Sequence, residues 1–199
     1  MKKTLVASIL GLATAVSVLG QSRIQLDTYA SSPIGGPYPL IRYGNGSPGP
    51  LGAPITGGLT VGFYYSTTSA SFEGATTQGG YNINIPGGAF VLATGPGSTA
   101  QIVPTYPGLF NTAQEFVIPG IVNTAYIVVV AYYGPSYADS IFRGHSSVFT
   151  VAPNTTPFGP GPGFGANMGG FYVGVPEPSV TALSVLGTLG LLLFRRRSD

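Results

Sequence analysis

The sequence contains one histidine, His145, which is the only residue of its type available for catalysis. Ser146 and Ser147 follow it directly, and Asp139 lies six residues before it. A hydrolase triad needs a serine nucleophile, a histidine base and a carboxylate that orients the histidine. However, the G-x-S-x-G motif that presents a nucleophilic serine on a sharp turn does not occur. We therefore interpret His145 as a residue of a loop or an edge strand, and we predict no catalytic residue.

Carboxylates offer a second route to catalysis, because glycoside hydrolysis uses two that face each other across the substrate. The central part of the chain has only four, and their scattered positions select no pair: Asp27, Glu73, Glu115 and Asp139. Calcium sites need clustered carboxylates, and thiolate sites need cysteine, of which the sequence has none. We predict no metal site.

A glycine-rich segment at residues 95–100, GPGSTA, formally matches the G-x-G-x-x-A fingerprint of dinucleotide-binding proteins. In that motif the glycines must open a helix after a strand. Pro104 and Pro107 follow too soon for a helix to continue. We interpret the segment as a plain loop and predict no cofactor.

Tyrosine is abundant, with 12 residues that include a dense set at positions 126, 132, 133 and 137. A tyrosine ring can stack on a sugar while its hydroxyl group forms hydrogen bonds. Tyrosine also fills strands simply because aromatic residues suit a pleated, half-buried surface. We favour the second interpretation for these tyrosines.

The positive net charge of +2 comes from the two ends of the chain, where five of the eight basic residues lie. The chain from 21 to 175 contains no lysine and only three arginines, against four carboxylates. A protein that binds nucleic acid needs clustered basic residues to displace counterions from phosphates. We therefore predict that this protein does not bind nucleic acid.

The elements that would position these residues are short strands separated by turns rich in glycine, proline, asparagine and serine. We predict strands within residues 24–29, 59–65, 89–93, 125–133 and 148–151. The segment 125–133, AYIVVVAYY, is β-branched or aromatic almost throughout, which predicts a central strand buried on both faces. No segment between them has a convincing helical period. The pattern predicts a mainly β fold, an antiparallel β-sandwich over residues 21–152.

Two further stretches have the composition of loops. Residues 153–174, which include NTTPFGPGPGFGANMGG, are predicted to form a Gly/Pro-rich linker between the β domain and the end of the chain. Residues 44–58 are similarly rich in glycine and proline and are predicted to form a long loop.

The first 20 residues have the parts of a secretory signal peptide in order: two lysines, an apolar run, and small residues before a cleavage point. We predict a signal-peptide helix over 1–20, with cleavage between Gly20 and Gln21. The apolar run is shorter than the roughly 20 residues that a membrane-spanning helix requires.

The end of the chain, 175–199, contains Pro176-Glu177-Pro178, an apolar run over 180–194, and Arg195, Arg196 and Arg197. The prolines keep the first part extended. A helix of 15 residues is about 22 Å long, which is short for a bilayer core of about 30 Å unless the arginines extend to the interface. We predict a single transmembrane helix over 180–194, with the arginines as a cytoplasmic stop under the positive-inside rule.

This three-part ending, on a chain that begins with a signal peptide, resembles the PEP-CTERM sorting signal of Gram-negative bacteria. The resemblance covers about 25 of the 199 residues. It implies that Pro176, Glu177 and Pro178 are recognised by exosortase, a membrane-bound transpeptidase-like enzyme, and that the chain is processed near them. It also implies an association with extracellular polysaccharide. The spacing of the strands is similar, more diffusely, to presumed β-sandwich domains of such proteins.

These observations together predict an exported, non-catalytic protein of structural or interaction type. The alternative is an extracytoplasmic hydrolase that acts on polysaccharide. Before processing, the C-terminal helix would anchor it in the membrane with its C-terminus in the cytoplasm. After processing, it would reside at the cell surface or in the extracellular matrix.

Overall fold

The structure is a computed structural model, and it describes residues 21–32, 38–68, 77–78, 81–82, 85, 87–120, 122–156, 159–165 and 167–175. The predicted signal peptide, the sorting tail from Pro176 onward and Glu73 lie outside the described residues.

The described chain is mainly β, and none of its residues is helical. Each of the five predicted strand regions overlaps a strand, although the first strand covers 22–25 where 24–29 was predicted. The strands are β1 (Ser22–Gln25), β2 (Ile41–Tyr43), β3 (Thr60–Ser66), β4 (Thr77–Gln78), β5 (Tyr81–Asn82), β6 (Val91–Leu92), β7 (Ala100–Ile102), β8 (Phe110–Asn111), β9 (Glu115–Ile118), β10 (Ala125–Tyr132), β11 (Arg143–His145), β12 (Phe149–Val151) and β13 (Phe171–Val173).

The largest sheet is antiparallel and has the order β11-β10-β3-β7-β8, with β12 also paired to β10 and β6 to β3. Three smaller two-stranded sheets complete the set: β1 with β9 and β4 with β5, both antiparallel, and β2 with β13, which is parallel. The prediction of antiparallel sheets is confirmed for all pairs but the last.

Strand β10 is central and buried on both faces, as its composition predicts. Ile127, Val129 and Ala131 face the main core, together with residues of β1, β3, β9 and β13. Val128 and Val130 face a smaller cluster on the other side of the sheet. Two-sided burial explains why the segment is continuously apolar, because a one-sided strand would alternate polar and apolar residues.

The range 153–174 differs from the predicted linker, because its described residues are part of the fold. Residues 159–165, which we call the Gly/Pro strap, run beside β1. Gln25 N donates to Pro162 O at 2.9 Å, and Phe164 N donates to Asp27 O at 2.7 Å. The Phe164 ring is fully buried. Removing a buried ring of this kind costs about 3–5 kcal/mol.

Glycine and proline suit this strap for reasons unrelated to flexibility. A Cβ at Gly161 would lie 2.9 Å from backbone atoms of Ile24, so only glycine allows the strap to approach β1 this closely. Proline supplies a carbonyl acceptor and an extended backbone without an unsatisfied N–H. Composition therefore indicated a linker where the chain forms a tightly packed extended segment.

Candidate functional site

His145 is the last residue of β11, an edge strand of the largest sheet, as one interpretation of the sequence predicted. Its side chain is almost completely buried, and its Nδ1 atom donates to the backbone oxygen of Ser146 at 2.7 Å. Burial lowers the pKa of His145, because the charged imidazolium loses hydration, and the bond to Ser146 partly opposes this shift.

The serine and aspartate of the possible triad form other contacts. The Ser146 hydroxyl accepts a hydrogen bond from Val129 N at 3.0 Å and is fully buried. Asp139 accepts a hydrogen bond from the Ser136 hydroxyl at 2.6 Å within a surface turn. Each group therefore has a local structural contact, and the described geometry does not assemble a serine–histidine–aspartate relay.

The described carboxylates likewise stabilise the fold locally. Asp27 is buried and accepts hydrogen bonds from three backbone N–H groups of the turn that follows it, at 2.9–3.1 Å. Glu115 forms a salt bridge with Arg23 at 3.2 Å and also accepts a hydrogen bond from Gly161 N in the strap. Among the described residues, no three side chains of the metal-binding types lie close enough to hold an ion.

The glycine-rich segment 95–100 forms a turn that leads into strand β7, where the dinucleotide fingerprint would require a helix. Gly95 and Gly97 both have positive φ values, and Ser98 closes the turn on the carbonyl of Gly95. The interpretation of this segment as a loop between strands agrees with the structure.

Most of the dense tyrosine set fills space between strands and loops. Tyr137 is buried against Tyr64 and Tyr132, at ring-centroid distances of 6.4 and 6.1 Å, and the Arg143 guanidinium lies over its ring at 5.4 Å. Burial raises the pKa of Tyr137 far above its usual value, and the nearby arginine partly opposes this. Tyr133 differs, because it is 65% exposed.

Three other tyrosines, which the sequence did not single out, meet in a surface pocket of about 290 Å³ that we call the tyrosine pocket. The rings of Tyr29 and Tyr106 lie 4.5 Å apart between centroids and are inclined at 41°. Tyr38 is also on the lining, and all three rings are between one third and one half exposed. The rest of the lining is Leu40, Thr105, Pro107 and Leu109.

Backbone hydrogen bonds hold these rings in place. Tyr29 lies on the turn that Asp27 stabilises, and its N–H donates to Asp27 at 3.0 Å. Tyr106 lies on a turn closed by its N–H to Val103 O at 3.0 Å. The turn continues through Gly108, whose φ is +82° and whose N–H donates to Ile55 O at 2.7 Å. The pocket is therefore formed by two turns that are each fixed by the core.

The chemistry of this pocket is aromatic and uncharged at neutral pH in all of its described lining residues. A hydrogen bond between the Tyr29 and Tyr106 side chains raises the pKa of Tyr29, because it favours the neutral hydroxyl group of Tyr29 over the phenolate. The pocket thus presents exposed ring faces beside hydroxyl groups that donate and accept hydrogen bonds. This combination suits a neutral ligand that has both C–H surfaces and hydroxyl groups.

Two further grooves lie at opposite ends of the paired strands β3 and β10. The tail-end groove, of about 450 Å³, is mostly apolar and is lined by Tyr43, Gly46, Pro48, Gly57, Gly58, Leu59, Tyr133, Ile141, Phe142 and Val175. The far-end groove, of about 500 Å³, is mostly polar and is lined by Thr67, Thr68, Pro119, Val122, Asn123, Thr124 and Tyr126.

The predicted sorting and anchoring residues, Pro176, Glu177, Pro178, Arg195, Arg196 and Arg197, lie outside the described residues, as does Gly20 on the signal side of the cleavage point. Gln21, on the other side of that point, is exposed. Among the described residues, no helix has the length and apolarity required to cross a bilayer.

Comparison of the chain with protein-family models, with curated proteins and with solved structures finds no match. The arguments for function therefore rest on the sequence and on the geometry described above.

Proposed function

We propose that this protein is an exported cell-surface or extracellular-matrix protein of non-catalytic type. Its β domain acts by interaction, and its C-terminal tail is a PEP-CTERM-like signal for an exosortase-type transpeptidase. The observation that carries the proposal is the order of signals in the sequence: a signal peptide at one end, and a Pro-Glu-Pro motif, apolar run and arginine cluster at the other.

The extent of the fold supports this proposal. Strand β1 begins at Ser22, two residues after the predicted cleavage point, and the last strand, β13, ends at Val173, three residues before Pro176. Paired strands therefore occur close to both predicted signals. An export signal and a sorting signal must lie outside the folded core, because each is read by another protein.

The proposal also includes the way in which the sheets pack on one another. We interpret the fold as a β-sandwich in which the β1–β9 pair packs against the largest sheet. The contact between them is aromatic: Phe63 of β3 and Phe116 of β9 lie 5.0 Å apart between ring centroids, edge to face. Phe164 of the strap packs against Phe63 at 5.7 Å and closes the same layer.

Within this proposal, the tyrosine pocket is the surface that binds the partner, a neutral extracellular polysaccharide. Its exposed rings, its hydroxyl groups and its uncharged lining support that assignment. Tyr106→Ala removes one ring and is expected to weaken retention by the producer's polysaccharide in affinity electrophoresis about tenfold, which corresponds to about 1.4 kcal/mol.

Tyr133→Ala is the matched control, because it also removes an exposed tyrosine but from a different groove. It is expected to leave retention unchanged. Equal retention of Tyr106→Ala and the unmodified protein, or equal losses in both variants, would contradict the assignment of the pocket.

The sorting part is tested by mass spectrometry of the protein recovered from a host that carries the transpeptidase. The mature protein is expected to lack residues 1–20 at one end, and the apolar run and arginine cluster at the other. Replacing Pro176, Glu177 and Pro178 by alanine is expected to leave the C-terminus intact. A mature unmodified protein that still ends at Asp199, in a host that processes other substrates, would contradict the proposal.

A further inference from the structure

The tail-end groove contains the most exposed large apolar side chain among the described residues. Ile141 is 78% exposed, Tyr133 is 65% exposed, and Val175 is 37% exposed. They share a groove whose described lining carries no charged side chain. Contiguous exposed apolar surface on a soluble domain marks a place where another apolar surface binds.

The position at which the chain leaves the fold is fixed at this groove. Val175 N donates to Asn45 O at 2.9 Å, and Gly174 forms two backbone hydrogen bonds with Arg143, at 3.1 and 3.2 Å. A Cβ at Gly46 would lie 3.0 Å from the Val175 side chain, so the turn at Gly46 packs closely against the exit. The following residues therefore start from a defined position on the rim of the groove.

The sequence leaves little distance between this exit and the apolar run of the tail. Only four residues, 176–179, separate Val175 from Val180, where the run begins. An extended chain spans at most about 3.3–3.6 Å per residue, so Val180 lies within about 18 Å of Val175. If the apolar run is in a bilayer, the groove is held near the surface of that bilayer.

We propose that the tail-end groove docks on the lipid bilayer itself, with Ile141 and Tyr133 reaching the boundary between headgroups and acyl chains. The inference rests on the membrane location of the tail in the proposed function, and it adds a second contact, made by the folded domain. An aliphatic side chain gains by leaving water, and a tyrosine suits this boundary because its ring is apolar while its hydroxyl remains hydrated.

The opposite end of the molecule has the reverse character. The far-end groove is lined largely by threonine and asparagine, and it lies at the other end of β10, roughly 23 Å away at 3.3 Å per residue. The start of β1 lies there too, since the Ser22 hydroxyl accepts a hydrogen bond from Val122 N at 2.7 Å. The polar end and the mature N-terminus thus face away from the bilayer.

The absence of cysteine from the sequence makes a direct test possible. The full chain is reconstituted in lipid nanodiscs at one copy per disc, with an environment-sensitive fluorophore on Ile141→Cys. The matched control carries the fluorophore on Asn123→Cys, which is exposed at the far end. Discs with and without nitroxide-labelled lipids report how close each fluorophore lies to lipid.

Lipid quenching several-fold stronger at 141 than at 123 is the expected result. Equal quenching at both positions, in discs that retain the protein, would overturn this inference and leave the tail as the sole membrane contact. Failure of the chain to enter discs would overturn the membrane location of the tail and this inference with it. Iodide, a quencher that stays in water, is added in a separate measurement. If neither iodide nor the labelled lipids quench the fluorophore at position 141, protein covers the groove, and this also overturns the inference.

Discussion

His145 lies in the interior with its Nδ1–H donated to the backbone oxygen of Ser146. Burial lowers its pKa below the ordinary value of 6.5, so the unfolded chain binds a proton more readily than the folded chain does. The stability that depends on the neutral imidazole is fully present above pH 6.5. It decreases as the pH falls from 6.5 towards the lowered pKa of the folded state.

We therefore predict that the free energy of unfolding decreases on acidification below pH 6.5, by up to about 1.4 kcal/mol per pH unit for one proton. Urea unfolding at a series of pH values measures this slope. His145→Gln is the control, because it keeps a polar side chain and removes the titrating group. Since His145 is the only histidine, an identical slope in both proteins between pH 6.5 and 5.5 would contradict the prediction.

Single residues also show where sequence reasoning was limited. Tyr29, Tyr38 and Tyr106 form the tyrosine pocket, but they lie on turns far apart in the sequence, and no local pattern connects them. The only available signal was the number of tyrosines, which equally fits strand packing. The sequence pattern is densest around 126–137 instead, and Tyr137 of that set is buried in the smaller hydrophobic cluster.

At the scale of elements, the strands could be predicted where burial leaves a local pattern. Strands β3 and β10 are apolar, β-branched and aromatic because they pair with each other in the middle of the largest sheet. The Gly/Pro strap could not be predicted in the same way. Its burial depends on β1, more than 130 residues earlier in the chain, and glycine is selected there by closeness to another backbone.

The strap gives a prediction that separates a packed segment from a linker. Gly161→Ala is expected to destabilise the fold by about 1–3 kcal/mol, because its Cβ would lie 2.9 Å from the backbone of Ile24. Gly169→Ala, eight residues later and with no atom within 4 Å of the added Cβ, is expected to be neutral or to stabilise by up to about 1 kcal/mol. Urea unfolding measures both.

A linker has no tertiary contacts, so it would give the same small effect at both positions. Equal free energies of unfolding for Gly161→Ala and Gly169→Ala would therefore contradict the packing of the strap on β1.

At the scale of the whole molecule, the domain contains very little charge. Between 21 and 175 the sequence has seven charged residues, and the described part contains one salt bridge, Arg23–Glu115, whose side chains are both partly exposed. An exposed ion pair contributes about 0–1 kcal/mol to stability. The fold is therefore stabilised mainly by its apolar core and its backbone hydrogen bonds.

We predict that raising the NaCl concentration from about 0.05 M to about 0.5 M changes the free energy of unfolding by less than about 1 kcal/mol. Retention by a neutral polysaccharide should be similarly insensitive to salt. Arg23→Gln removes the Arg23–Glu115 salt bridge and is expected to reduce the small salt dependence of the free energy of unfolding. A decrease of several kcal/mol in the unmodified protein would show that screened charge interactions stabilise it.

The folded domain is also longer than the sequence predicted. The sequence placed its end at residue 152, whereas the described fold continues through the strap and β13 to Val175. The last strand pairs in parallel with β2, in the register Phe171 with Ile41 and Val173 with Tyr43. The chain therefore leaves the domain from a paired strand rather than from a spacer.

That pairing has a mechanical consequence for the proposed form of the protein that is anchored by its C-terminal tail. Hydrogen bonds between strands lie across the strand direction. A pull on Val175 along β13 therefore loads the bonds to β2 in shear, all at the same time, whereas a pull across the pair would open them one by one. Flow or traction on an anchored molecule would thus load the β13–β2 pair in shear, the direction in which its hydrogen bonds must break together.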